Sequence, residues 1–279
     1  MKVGINVPAL KDQEEEIPKG VEIIKAPEAW AHTRGAGARV AVLSTGIYTP
    51  HEDLAVVKQV SFAAEDPDPQ DKNGAGTNCA GLVAARRNSK GIIGVAPEAS
   101  LVSVKVLSPD GTAEDIYRAL DWCVSAKLDV VMLPFGGAGP CAPEFEDRLL
   151  VLAQGGSIVL CGPRGANDGQ PIFPGCCKSI ISVGSPPNEW HSDDADLYCW
   201  AGRMKTTAVG GGWEYWNASA SSLCLVAGAV ALIKSLKPTM TLNKIRELLR
   251  TTSDDAGSTT FPYRQVNAYA AVQDVRGAK

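Results

Sequence analysis

Histidine is scarce in this chain: there are three in 279 residues, His32, His51 and His191. Chemistry that needs an imidazole base has few places to find one. Long apolar runs are missing as well, with no stretch of 18 or more, so no membrane-crossing helix is expected. The opening MKVGINVPALKDQEEEIPKG lacks a long apolar segment and is not expected to act as a secretory signal. Neither sign of charge dominates. Lys and Arg number 27 against 31 Asp and Glu, and a net charge of −4 gives no drive toward nucleic acid or an anionic membrane. No C-x-x-C pair supplies zinc-binding spacing. Internal repeats and low-complexity tracts are also absent.

What is present suits a soluble globular protein. The chain is long enough for one α/β domain with a large core. The eight cysteines form an even set, but a domain of this size does not depend on disulfides. Cys79, Cys161 and Cys224 lie inside apolar runs, where a thiol behaves as a small hydrophobe. Reduced cysteines in a cytoplasmic protein are therefore expected. The adjacent Cys176 and Cys177 are read as structural, neither a metal pair nor a disulfide.

Short, nearly continuous apolar runs predict strands buried on both faces at 39–43, 101–106, 130–133, 157–161 and 180–183. Between them, helices are predicted at 77–86, 114–126 and 144–153. A further helix at 221–236 is apolar almost all round and should be central. Thr241 is placed to cap another at 242–251. Repeated strand–helix–strand units imply a parallel sheet with right-handed crossovers. The charged segment 11–19 reads as a linker, separating an N-terminal extension, 1–16, from a main domain, 17–279.

Three segments carry the most specific signal. They are Val40–Ile47 (VAVLSTGI), Ala75–Gly81 (AGTNCAG) and Asn217–Gly228 (NASASSLCLVAG). Each resembles a catalytic block of the subtilisin-like serine proteases, the subtilases. Further similarity lies in 17–27 with Trp30, in 49–54 (TPHEDL), in 91–97 (GIIGVAP) and in 173–184, and it runs in family order from about Ile17 to Ser235. The intracellular subtilisins of bacilli are the nearest likeness. The resemblance implies a three-layer α/β/α subtilisin-like fold with a mainly parallel central sheet.

It also implies a site, and there the chain departs from the pattern. Where the family has the triad Asp, His and Ser, this sequence has Ser44, Ala75 and Ala220. Where the family has the oxyanion-binding Asn, it has Pro163, which lacks both an amide side chain and a backbone N–H. In subtilisin, losing that one donor costs about 2.7–4 kcal/mol. Also in subtilisin, losing a triad residue lowers turnover roughly 10⁴–10⁶-fold. Pro134, Cys224 and Leu225 depart from the family as well, so the change is spread through the site. Ser219, Ser221 and Ser222 offer hydroxyls beside Ala220 but no base. The three histidines are read as surface residues without a site role. Cys79, Cys161 and Cys224 are read as buried space-fillers, the alternative being one activated thiolate, with Arg164 as the nearby charge.

In the family a glycine strand pairs with bound peptide. Its counterpart here is Phe135, Gly136 and Gly137 after Pro134, with Gly111 and Thr112 on the opposite wall. Trp213, Tyr215 and Trp216 either line a recognition surface or pack under their glycine-rich loop. Residues 6–9 (NVPA) stand where intracellular subtilisins carry an inhibitory strap over the cleft. The resemblance implies a calcium site drawn from Asp53, Asn88 and Glu15, with Arg86, Arg87 and Lys90 beside it. The expected function is a pseudoprotease without peptidase activity, binding a peptide or a protein partner. The alternative is another hydrolytic reaction in the inherited cleft through a Ser or Cys. A homodimer, or a heterodimer with an active homologue, is implied by the resemblance alone.

Overall fold

Along the central strands, successive side chains turn to opposite faces and both faces are buried. Val40 and Val42 enter one apolar cluster while Ala41 and Leu43 enter another. Val130 and Met132 against Val131 and Leu133 repeat the partition, as do Ile158 and Leu160 against Val159 and Cys161. A sheet apolar on both sides must be covered on both sides, which gives three layers. The computed structural model describes residues 15–108, 110–165, 170–186, 194–257 and 262–277.

In chain order the elements are α1 (Lys19–Ile23), α2 (Ala26–Ala29), β1 (Arg39–Ser44), β2 (Val56–Ser61), α3 (Ala75–Ala84), β3 (Ser100–Lys105) and α4 (Ala113–Ala126). Then come β4 (Val130–Leu133), β5 (Gly137–Ala138), α5 (Pro143–Gln154), β6 (Ile158–Cys161), β7 (Ile172–Phe173), β8 (Ile181–Gly184) and β9 (Leu197–Tyr198). The chain closes with β10 (Met204–Thr207), β11 (Trp213–Trp216), α6 (Ala220–Leu236), α7 (Leu242–Thr252), β12 (Asp254–Gly257), β13 (Pro262–Gln265) and α8 (Ala268–Gly277).

The main sheet runs β12-β13-β9-β8-β6-β4-β1-β3-β2, and every pairing in it is parallel except β12 with β13. Helices α3, α6, α7 and α8 cover one face and α4 and α5 the other. α6 is buried from Ser221 to Lys234, as its all-round apolar sequence requires. Lys234 is buried there and donates to the carbonyls of Gly156 and Pro238 near the helix end, while burial pulls its ammonium below the ordinary lysine range.

Three expectations need correction. The segment 11–19 is not a linker throughout. Glu16 bridges to Ile92, and Lys19 opens α1; the rest, 11–14, lies outside the described residues. Cys177 is not unpaired, for it forms a disulfide with Cys141. The β5–β7 pairing, Gly137 to Phe173 and Ala138 to Ile172, brings together segments 36 residues apart. Finally, His51 is buried rather than on the surface. Its Nε2 is 2.8 Å from the Gly212 carbonyl, and its Nδ1 accepts from the Asp53 N–H at 3.1 Å.

Candidate functional site

The site is assembled around the first turn of α3. That turn starts after Gly74, whose φ of +106° favours glycine. Its exposed backbone donors are met by side chains from outside the helix. Asn73 Oδ1 accepts from Ala75 N, Thr45 Oγ1 from Gly76 N, and Asp71 Oδ2 from Thr77 N. Asp71 is buried and also accepts from the backbone of Asn73 and Gly74 and from the hydroxyls of Thr45 and Thr77. Asp71 therefore fixes where α3 begins and ties it to the end of β1. The contact is close. A Cβ on Gly76 would stand 2.0 Å from the Gly46 carbonyl oxygen and 3.3 Å from the Ser44 Cβ. Ser44 ends β1, and Ala75 opens α3 above it.

The first turn of α6 lies beside that of α3. Cys79 and Cys224 are hydrogen-bonded across the two helices, and Cys224 donates to the Ala220 carbonyl at 3.1 Å. Each cysteine lies four residues after the first residue of its helix, so Ala75 and Ala220 stand one turn before them, at the starts of neighbouring helices. The antiparallel pair β10–β11 completes this side. Asn78 donates to Thr207 O and to Glu214 Oε1, and Thr206 and Thr207 return hydroxyl bonds to α3 carbonyls. Pro163 follows β6, with its carbonyl packed against Gly175.

A matching fold has been seen before. Proteases from Pseudoalteromonas arctica superpose with a TM-score of 0.81 at 24% identity, over 90% of this chain and 94% of that one. At the level of sequence, the model of the subtilase family (Peptidase_S8) matches residues 35–267. The chain belongs to the subtilase family. Among similar proteins, the intracellular serine protease of Paenibacillus polymyxa is 34% identical over 246 residues, 81% of this chain and 75% of that protein. The major intracellular serine protease of Bacillus subtilis is 32% identical, over 83% of this chain and 79% of its own. Subtilisin Savinase of Lederbergia lenta is 32% identical over 93% of this chain and all of that one.

In this subtilase the groups available for acid–base work near Ala220 are few. His32 lies against α8, 2.8 Å from both Gln273 Nε2 and Arg276 Nη1. His51 has both ring nitrogens engaged, and His191 lies outside the described residues. Ser221 is fully buried, and its hydroxyl has no partner among the described residues. Ser222 is buried and donates to Ser219 O; only Ser219 is exposed. Burial pushes the thiols up: Cys123 and Cys199 to about 12, Cys224 well above its ordinary range, and Cys161 likewise, with Asp196 adding to the rise. These thiols are neutral, not nucleophilic thiolates. Arg164 pairs with Asp196 at 2.7 Å.

The two segments expected to wall a cleft differ from one another. Gly136, Gly137 and Ala138 are exposed, Phe135 is half-buried, and among the described residues β5 is paired only by β7. In the other segment Thr112 is the N-cap of α4. Its hydroxyl accepts from Asp115 N, and its own N–H goes to Asp115 Oδ2, so this N–H is already engaged. Gly111 packs against the Val106 carbonyl. Trp213 settles its open alternative by being buried, whereas Tyr215 is exposed, with Arg203 4.7 Å over its ring, and Trp216 is half-buried. The expected strap, residues 6–9, lies outside the described residues.

The calcium candidates do come together, but each has an oxygen that faces a donor. Asp53 is fully buried. Its Oδ1 accepts from Asn88 Nδ2 at 2.9 Å, its Oδ2 from the Trp213 indole at 2.6 Å, and Ile92 N–H donates to it as well. Asn88 Oδ1 accepts from Lys90 N, and Glu15 Oε1 from the N–H groups of Asn88 and Ser89. This donor set does not fit a cation. Burial raises the Asp53 carboxyl above its ordinary range, and the Asn88 and Trp213 bonds pull against that rise.

Proposed function

We propose that this subtilase does not cleave peptide bonds and instead holds an extended segment of a protein partner in the inherited cleft. The observation that carries the reading is the chemistry of three positions. Ala75 and Ala220 present methyl groups where a base and a nucleophile would act, and Ser44 cannot supply a carboxylate. Pro163 offers no N–H to a developing oxyanion. The occupied histidines and neutral thiols argue against a substitute nucleophile among the described groups.

Binding is favoured by what remains. The exposed edge of β5, free of side chains at Gly136 and Gly137, can take a strand by backbone pairing. Tyr215 and Trp216 offer aromatic surface beside the start of α6. The segment would come from another protein, from a second copy or from an active homologue. No helix among the described residues is long and apolar enough to cross a membrane. Two of the relatives are intracellular by name, and we place this chain in the cytoplasm with them. In that compartment Cys141 and Cys177 would be kept reduced, and their disulfide would mark oxidising conditions.

The test is exposure to a fluorophosphonate serine probe, together with a broad peptide library. Neither labelling nor hydrolysis above a heat-denatured control is expected. Stoichiometric labelling of Ser219, Ser221 or Ser222 would overturn the reading.

A further inference from the structure

We infer that the loop 86–92 is locked without a metal ion, by protein N–H groups that converge on Asp53, the indole of Trp213 foremost. The inference is independent of whether the cleft binds or cuts. It starts from the pairing of each oxygen. A carboxylate or amide oxygen that coordinates a cation must turn a lone pair toward it, with no hydrogen between. Each such oxygen has two lone pairs: both oxygens of Asp53 and the amide oxygen of Asn88 each give one direction to an N–H, and Oε1 of Glu15 gives two.

An amide side chain can be turned over to present oxygen, but an indole can only donate. The Trp213 N–H at 2.6 Å from Asp53 Oδ2 is therefore a permanent occupant of one coordination direction. The ring also takes up the space. A Cβ on Gly91 would stand 1.9 Å from Trp213 Cε2, so the loop is moulded onto the indole, and Gly91 at φ +61° permits that approach. Ala85, Ile92 and Trp213 form a separate small apolar cluster at this spot.

The neighbourhood already carries positive charge. Lys205 is buried, with its ammonium 5.9 Å from the Trp213 ring centroid and 3.7 Å from Glu16 Oε2. On the outer side Lys90 pairs with Glu52 at 2.9 Å, and Arg86 and Arg87 are exposed beside it. The acidic groups around the loop are engaged too, Glu52 by Lys90, Glu16 by Lys205, and Glu15 and Asp53 by N–H groups, so a divalent ion entering here would have to displace these partners and the fixed indole donor. His51 closes the arrangement from behind. It packs edge-on to Trp213 at 5.6 Å, and its bonds to Asp53 N and Gly212 O hold both partners in place.

The experiment follows thermal unfolding of the full chain in calcium and in a chelator, with terbium luminescence excited through tryptophan. The transition is expected to move by less than about 1 °C between calcium and chelator, whereas a bound ion at saturating concentration would raise it by about 5 °C or more. Terbium emission is expected at background, although Trp213 would lie against any ion held by Asp53. Saturable emission that calcium competes away and Asp53→Asn abolishes would overturn the inference. Emission or a calcium shift that survives Asp53→Asn would place the ion elsewhere and leave the loop metal-free. Trp213→Phe keeps the ring and removes the donor, and it is expected to lower the transition by about 3–8 °C. No loss in Trp213→Phe would overturn the proposed lock. If that variant does not fold, terbium on the unmodified chain decides alone.

Discussion

Replacing Asp71 by alanine should be among the most damaging single changes in this subtilase. The carboxylate receives five hydrogen bonds, three from backbone N–H groups and two from threonine hydroxyls. The five are not equivalent. Asn73 is exposed, so water can replace that bond, and the two hydroxyls can rotate to other acceptors. Gly74 N and Thr77 N are buried, and each would be left without a partner at about 1–3 kcal/mol. Loss of a negative charge at the start of α3 adds about 0.3–1 kcal/mol. Allowing for non-additivity, the variant should lose about 3–6 kcal/mol, a large part of the 5–15 kcal/mol typical of a folded domain. With a urea m-value of about 3 kcal/mol/M, the unfolding midpoint would fall by about 1–2 M. A loss below about 1 kcal/mol would refute the claim that Asp71 anchors α3.

Asp66 accepts from Lys105 at 2.7 Å and from Lys72 at 3.1 Å, and these bonds hold its carboxyl well below the usual carboxylate range. Its stabilising effect is present above the unfolded carboxylate value and is lost as pH falls below it toward the folded one. Asp66→Asn should therefore be less stable than the parent at neutral pH, and the two should converge below about pH 4, as followed by denaturant midpoints across pH. Reducing Cys141–Cys177 should cost about 2–4 kcal/mol from a loop of this length, seen as a lower transition in dithiothreitol that a Cys141→Ser variant does not show. Native alkylation near pH 8 should modify about one thiol per chain, at Cys176, because the other free cysteines are buried; rapid labelling of Cys161 or Cys224 would contradict the neutral-thiol assignment.

The parts legible in the sequence are those written locally. The all-round apolar run of α6 and the uninterrupted apolar strands β1, β4 and β6 specify burial by their composition alone. The start of α3 was less legible. The helix begins two residues before the expected Thr77, because its donors are met by Thr45 and Asp71 from outside the pattern. β2 escaped notice because, as the outermost strand, it is half-exposed and mixes Lys58 and Gln59 with valines. Trp213 and Asp53 are 160 residues apart, and nothing local to either announces their bond. Thr112 was different. Its capping box with Asp115 is a short-range signal, and reading it would have identified Thr112 as a helix cap. The three family blocks fall on adjacent elements, β1, α3 and α6, because order along a shared fold is preserved.

The two faces of the sheet are not equally covered. On the α3–α6–α8 side a continuous apolar mass reaches from Val21 to Val275, whereas the α4–α5 side is a smaller cluster bounded by partly exposed Tyr117, Trp122 and Phe173. Local opening follows buried contact, so amide protons of α4 and α5 should exchange through partial unfolding, well before those of α6. Phe135 packs on that smaller cluster and Thr112 caps α4, so both segments proposed to wall the groove belong to the half of the molecule expected to open first. An occupant of the groove would draw on free energy stored in this thinner layer, and its arrival would register as slowed exchange in α4 and α5 at a distance from any atom it touches.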